Sequence, residues 1–119
     1  MGRRRKWLER ITLEKTMQFD VYRNPVPHAR RAFPWVVTLQ SDLADTGHDR
    51  VVAFLAPRAN FDALPGRLMP LVDVESKECV LLIPSLTNLP AQDLKRVVGN
   101  IGARRDAIVQ ALDYLFIGG

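Results

Sequence analysis

From Met17 onward, hydrophobic and polar residues alternate in the pattern of short β-strands. In the stretch MQFDVYR, Phe19 and Val21 share one face of an extended chain. The other face carries Gln18, Asp20 and Tyr22. This period of two predicts a first strand that is buried on one side only.

Two further runs of β-branched and aromatic residues, PWVVTLQ and RVVAFLA, predict two more strands. The segment NPVPHARRAFP, with its three prolines, is expected to be a loop, and SDLADTGHD carries the turn-forming residues that separate the second and third strands. The first half of the chain is therefore predicted to be all β.

The second half continues this pattern and then changes period. After the breaker-rich PRANFDALPGR, the run LMPLVDVESKECVLLIP predicts a hairpin with ESK at its tip. The segment SLTNLPAQDL is expected to add a short edge strand whose pairing Pro90 limits. From Asn100, apolar residues follow helical spacing and predict a C-terminal helix of about four turns packed on the sheet. They are Ile101, Ile108, Ala111, Leu112 and Leu115.

Length and composition fit one ordinary globular domain. The chain has 119 residues, of which 47% are hydrophobic and 25% charged. No apolar run approaches the ~18 residues of a membrane-spanning helix. The single cysteine, Cys79, excludes an internal disulfide and is expected to be a small core residue. These features are those of a cytosolic chain.

The basic charge belongs to the first 16 residues. The whole chain carries a net charge of +4, and MGRRRKWLERITLEKT holds six basic residues against two acidic ones. Such a segment could be a nucleic-acid arm, a targeting segment, or sequence translated upstream of a start at Met17. It lacks the apolar stretch of a secretory signal. We favour an extension over residues 1–16, disordered or a start-site artefact, followed by a domain over residues 17–119.

No catalytic or metal-binding motif stands out. His28 and His48 lie in loop segments without a neighbouring nucleophile, and two histidines with one cysteine cannot form a usual zinc site. Asp42, Asp45 and Asp49 could chelate a metal or act as paired acids, but aspartate is also favoured in turns for its backbone hydrogen bonds. There is no glycine-rich phosphate loop. We therefore expect no cofactor, no metal and no catalytic residue.

Five segments together resemble the CcdB family of plasmid-addiction toxins, in the family's order and over residues 17–119. They are MQFDVY, VVTLQSDLADT, RVVAFLAPR, LMPLVDV and IVQALDYLFIGG. The MQF opening and the QSDL block are the most specific of them. The resemblance implies a mainly β fold: a small SH3-like antiparallel barrel with a side hairpin and a C-terminal α-helix, assembled as a homodimer.

The resemblance also implies a function without catalysis. Members of this family bind the A subunit of DNA gyrase and trap the enzyme on cleaved DNA. A CcdA-like antitoxin neutralises the toxin and acts with it as a transcriptional co-repressor. Operator DNA is then bound only through the antitoxin complex, and the protein is expected to be cytoplasmic with no membrane partner.

The family's gyrase surface lies at the end of the C-terminal helix. Its closing Trp-Gly-Ile falls on Ile117, Gly118 and Gly119, so an isoleucine replaces the tryptophan that would be the large interface anchor. The resemblance places the remaining gyrase contacts at Phe19, Leu43, Ala44, Asp113 and Phe116.

Structural roles are the alternative for several of these residues. Phe19 and Leu43 could belong to the core, and the last three residues could be a frayed end or the stop signal of the helix. Arg104 and Arg105, in the first turn of the helix, could be solvated or could form a basic patch for the acidic antitoxin.

Two other functions remain open. A MazF-like endoribonuclease toxin has the same barrel and would need a basic residue and a hydroxyl, for which Arg50, Thr46 and Ser41 are loose candidates. The second function is that of a non-toxic homologue that binds an antitoxin and regulates transcription.

Overall fold

The computed structural model describes residues 17–42, 44, 47–62 and 66–118, which form an antiparallel sheet and a C-terminal helix. The strands are β1 (Asp20–Arg23), β2 (Trp35–Thr38), β3 (Asp49–Pro57), β4 (Leu71–Val74), β5 (Lys77–Pro90) and β6 (Val97–Asn100). The helix α1 is Arg105–Ile117, and short 3-10 turns lie at Arg58–Asn60, Ala91–Asp93 and Gly102–Arg104. The predictions for residues 1–16, Leu43 and Gly119 lie outside the described residues.

The six strands form one sheet in the order β4-β5-β3-β2-β1-β6. Every pairing is antiparallel, with Val21 opposite Val37 between β1 and β2 and Trp35 opposite Leu55 between β2 and β3. The terminal strands β4 and β6 approach each other, so the sheet curls into a nearly closed SH3-like barrel. The expected fold class is confirmed.

The first strand is buried on both faces, and the expected half-buried pattern is wrong in this respect. Phe19 and Val21 point into the main core, as the alternation predicts. Tyr22 is also buried, in a second apolar cluster with Val36, Val52 and Leu94. An apolar layer therefore covers the outer face of the sheet here, including the segment around Leu94, which is distant in sequence.

The predicted hairpin is β4–β5, and its tip is a two-residue turn. Val74 pairs with Lys77, which leaves Glu75 and Ser76 as the two loop residues. Both have positive φ, 51° and 67°, as a type I′ turn requires. The hairpin forms one end of the sheet.

The segment SLTNLP continues β5 and pairs with β3, so the prediction of a separate edge strand is wrong. Between the pairs Phe54 with Leu82 and Val52 with Thr87, β5 contains extra residues and bends. At this bend the Ser85 hydroxyl accepts a hydrogen bond from the Phe54 N–H at 2.8 Å and donates one to the Leu82 carbonyl at 2.6 Å. A side chain thus replaces the missing backbone partner.

The segment before the helix also differs from the prediction. Residues 97–100 form β6, an edge strand that the sequence pattern did not predict because only Val97 and Val98 are apolar. Ile101 is buried but precedes the helix, which begins at Arg105 after a 3-10 turn.

The main core lies between the concave side of the barrel and α1. Ile108 and Ala111 are buried on the inner face of the helix, and Leu112 and Leu115 are half-buried beside them, as their spacing predicts. Cys79 is buried in this core, and burial raises the pKa of its thiol, which fits the expected structural role. Across the described ranges, no helix is both long and apolar enough to cross a bilayer.

Candidate functional site

The last turn of α1 exposes an unusual amount of apolar surface. Tyr114 is 39% exposed, Phe116 72% and Ile117 79%. In the described part of the chain five large hydrophobic side chains are exposed, and these are three of them. A concentration of exposed large apolar side chains in one helical turn favours an interaction site.

Gly118 ends the helix and holds this turn in place. Its φ of +83° is left-handed, and its N–H faces the carbonyls of Tyr114 at 3.0 Å and Asp113 at 3.3 Å. This is the stop signal that the sequence suggested for the glycine. Ile117 is the last residue of the helix, so the alternative of a frayed end does not hold for it.

The other residues expected at the gyrase surface differ in how exposed they are. Asp113 and Ala44 are exposed, and the Ala44 N–H donates to the Ser41 carbonyl at 3.0 Å. Phe19 is only 5% exposed and packs in the main core, so it can support a surface from below but offers little of its own area.

A hydrogen-bond network ties the start of β1 to both neighbouring segments. The Gln18 N–H donates to Asp42 Oδ1 at 2.7 Å, which anchors the loop after β2. Asn100 Nδ2 donates to Asp20 Oδ1 at 3.0 Å, and Asn100 Oδ1 accepts from the Gly102 N–H at 2.8 Å. The chain before α1 and the loop preceding residues 43 and 44 are thus fixed to the same strand.

Tyr22 lies next to this network. Burial, followed by the negative charge of Asp20 and a hydrogen bond to it, raises the pKa of Tyr22 to about 12. The phenol therefore stays protonated at physiological pH and has the properties of a structural group.

The residues around Arg104 were not predicted from the sequence. Its Nε donates to the Leu71 carbonyl at 3.1 Å, and it lines a groove that also includes Arg67 and Tyr114. The Arg67 guanidinium carbon lies 5.0 Å from the centre of the Tyr114 ring. Arg67 is 37 residues from Arg104, and no sequence motif connects them. Arg105 is exposed and does not line the groove.

The residues considered for catalysis or metal binding lie in several different segments. His28 and His48 are exposed in loops, and the described residues contain no group of three metal-ligating side chains. Arg50 Nη1 donates to the carbonyls of Gly47 and Asp49 at 2.8 Å. Thr46 and Asp45 lie outside the described residues.

Comparison with known proteins identifies the family. A search of the curated proteins found no match. A family model described as CcdB protein matches residues 18–118, nearly the whole chain and all of its described strands and helix. The chain therefore belongs to the CcdB protein family.

Proposed function

We propose that this protein is the toxin of a type II toxin-antitoxin pair and that it binds the DNA gyrase A subunit and traps gyrase on cleaved DNA. The observation that carries the proposal is the family match over residues 18–118. In this proposal the protein inhibits a topoisomerase and is not itself an enzyme.

The exposed last turn of α1 is the proposed gyrase contact. Phe116 and Ile117 supply its apolar centre, and Asp113, Gly118 and Gly119 flank it. Buried apolar area carries most of the binding energy in protein interfaces, and aromatic side chains are its commonest anchors. Because the family's tryptophan is absent, Phe116 becomes the main anchor and Ile117 contributes less than an indole would.

The loop after β2 is proposed as a second part of the same contact. Leu43 and Ala44 are its apolar residues, and the bond from the Gln18 N–H to Asp42 Oδ1 anchors the loop. Phe19 acts from below by filling the core beneath this region.

The proposed partners follow from the same family. A CcdA-like antitoxin neutralises the toxin, with Arg104 and Arg105 as proposed contacts for its acidic residues. The pair acts in the cytoplasm as a transcriptional co-repressor and reaches operator DNA only as the complex. The toxin itself is proposed to be a homodimer.

A test in cells separates this function from its alternatives. Expression of the chain should arrest growth of a sensitive host and should leave a host with a toxin-resistant gyrase A subunit unaffected. Arrest in both hosts, together with RNA cleavage by the purified chain, would favour an endoribonuclease. No arrest in either host would favour a regulatory homologue.

A further inference from the structure

The end of β1 and the loop that joins it to β2 carry positive charge only. Over residues 21–41 the sequence has three arginines and no acidic residue. Arg23 and Arg31 are exposed, and Arg30 is half-buried. We call these three residues the arginine surface.

The loop is held in place by the side chain and backbone of Asn24, which is fully buried. Asn24 Nδ2 donates to the Phe33 carbonyl at 2.8 Å, and Asn24 Oδ1 accepts from the Val26 N–H at 2.9 Å. Its backbone N–H donates to the Pro34 carbonyl at 2.9 Å, and its carbonyl accepts from Arg30 Nε at 2.8 Å. Both ends of the loop are therefore fixed, and Arg30 is positioned before any ligand binds.

The arginine surface keeps most of its hydrogen-bond donors available. Arg30 uses Nε for Asn24, which leaves the N–H groups of its two terminal nitrogens. Within the described ranges, neither Arg23 nor Arg31 forms a hydrogen bond or an ion pair. The planar fork of a guanidinium matches the oxygens of a phosphate group and binds them in bidentate fashion.

Strand pairing adds one more cation to this surface. Tyr22 in β1 lies opposite Val97 in β6. Arg96 directly precedes Val97, so the antiparallel register places it beside Arg23, which follows Tyr22. Arg96 is exposed as well.

The turn on the other side of the loop leaves this excess of charge unchanged. Asn60 Nδ2 donates to the Ala32 carbonyl at 3.1 Å, so the turn that contains Arg58 packs on the loop. Chain order places Asp62 near Arg58, and the β3–β5 pairing does the same for Glu78. These carboxylates offset the charge of Arg58, and the positive excess is that of residues 21–41 and Arg96.

We propose that the arginine surface binds the phosphate backbone of duplex DNA without reading its sequence. Phosphate contacts supply most of the affinity of sequence-independent binding, and operator recognition stays with the antitoxin complex because such contacts carry no sequence information. The exposed large hydrophobic side chains of the described structure lie outside this loop, which favours a polyanion bound by charge over a peptide bound by apolar contact. That the natural ligand is the DNA held by gyrase rests on the proposed function; the contact itself does not.

Fluorescence anisotropy with the full chain and a labelled duplex of mixed sequence tests the proposal. We expect binding at low salt that weakens as salt is added. Arg23→Ala combined with Arg31→Ala should weaken binding by about tenfold, within the range for two exposed ion pairs. The slope of log affinity against log salt should fall by about 1.8, since each phosphate contact contributes about 0.9. Arg31→Glu should also weaken binding more than Arg31→Ala.

The basic segment at the start of the chain provides the matched control. Arg4→Ala combined with Arg5→Ala removes the same charge from residues 1–16 and should cost clearly less affinity than the change at Arg23 and Arg31. Thermal unfolding checks that the variants are folded, and Arg30 is left unchanged because it holds the loop.

Four results would each overturn the proposal. They are no salt-dependent binding by the wild type, unchanged affinity on replacing Arg23 and Arg31, an equal loss on replacing Arg4 and Arg5, and displacement of the DNA by polyglutamate at an equal concentration of charge. The last result would indicate an acidic protein as the partner. The assay contains neither gyrase nor antitoxin, so its failure and the failure of the proposed toxin function are distinguishable.

Discussion

At the residue scale, the proposed gyrase contact depends on two side chains that are exposed although they are apolar. Phe116 and Ile117 belong to a helix whose buried residues are Ile108 and Ala111, so both lie outside its buried face. The proposed contact with gyrase would remove this apolar area from water.

We predict that Phe116→Gln combined with Ile117→Gln weakens gyrase binding at least tenfold, that is, by about 1.4 kcal/mol or more. The free energy of unfolding should change by only about 0.5 kcal/mol, because both side chains are on the surface. Surface plasmon resonance with the gyrase A subunit and thermal unfolding measure the two effects. Val97→Thr, which alters another exposed apolar residue at 50% exposure, is the control and should bind normally.

A second prediction concerns the pH dependence of stability. The pKa of Tyr22 is raised from 10.0 to about 12, so the unfolded chain loses this proton at lower pH than the folded chain. The stabilisation is therefore complete below about pH 10 and is lost as pH rises to about 12. Urea unfolding between pH 9 and 12 should show a steeper decline for the wild type than for Tyr22→Phe. Equal slopes would contradict the assignment, because the two proteins differ only at residue 22.

Residue-level roles were only partly predictable. The burial of Ile108 and Ala111 follows from helical spacing, which reports local geometry directly. The burial of Tyr22 does not, because it depends on Leu94, more than 70 residues away. The contact of Arg67 with Tyr114 could not be predicted either, because these two residues are also distant in sequence.

At the element scale, the β4–β5 turn holds a non-glycine residue in a left-handed conformation that costs free energy. Ser76 has a φ of 67°, a conformation that glycine adopts without steric penalty. We predict that Ser76→Gly stabilises the protein by about 0.5 to 1 kcal/mol. Thermal unfolding is the measurement, and Lys77→Gly, one residue later within the strand, should destabilise instead. A lower melting temperature for Ser76→Gly would show that the turn is not the type I′ turn described.

At the end of α1, the residue with positive φ is already a glycine. Gly118 has a φ of +83°, and a side chain there is strained even though nothing lies within 4 Å of an added Cβ. Gly118→Ala should cost about 1 kcal/mol of stability. Gly99→Ala, at an equally open position without positive φ, should cost little or nothing. Similar losses in both variants would argue against a left-handed helix end at Gly118.

Secondary-structure elements could be predicted where the hydrophobic pattern and the turn residues indicate the same structure. The hairpin around ESK and the C-terminal helix combine strong periodicity with clear turn or stop residues. β6 was missed because a short edge strand pairs on one side only and needs few apolar residues. The continuation of β5 beyond Pro84 was misassigned because the bend at Ser85 interrupts the alternation.

At the scale of the whole molecule, the barrel and the helix have different roles. The sheet holds the core and fixes α1 along its inner face, while the groove and the last turn of the helix lie on accessible surface. These two surfaces share Tyr114, whose ring contacts Arg67 on the groove side. The proposed antitoxin contact at Arg104 and the proposed gyrase contact therefore lie next to each other.

The proposed homodimer belongs to the same scale. Analytical ultracentrifugation at micromolar concentration should give the mass of two chains, since the resemblance to the CcdB family implies a homodimer. A monomer at that concentration would contradict this part of the proposal but not the fold.

A cleavage assay with purified gyrase, plasmid DNA and this protein tests directly whether the protein poisons gyrase. We expect double-strand breaks that depend on gyrase and increase with toxin concentration, after the trapped complex is opened with detergent and protease. The Phe116→Gln, Ile117→Gln variant should need at least about ten times more protein for the same effect. Plasmid that stays intact at every toxin concentration would contradict the claim that this protein is a gyrase poison.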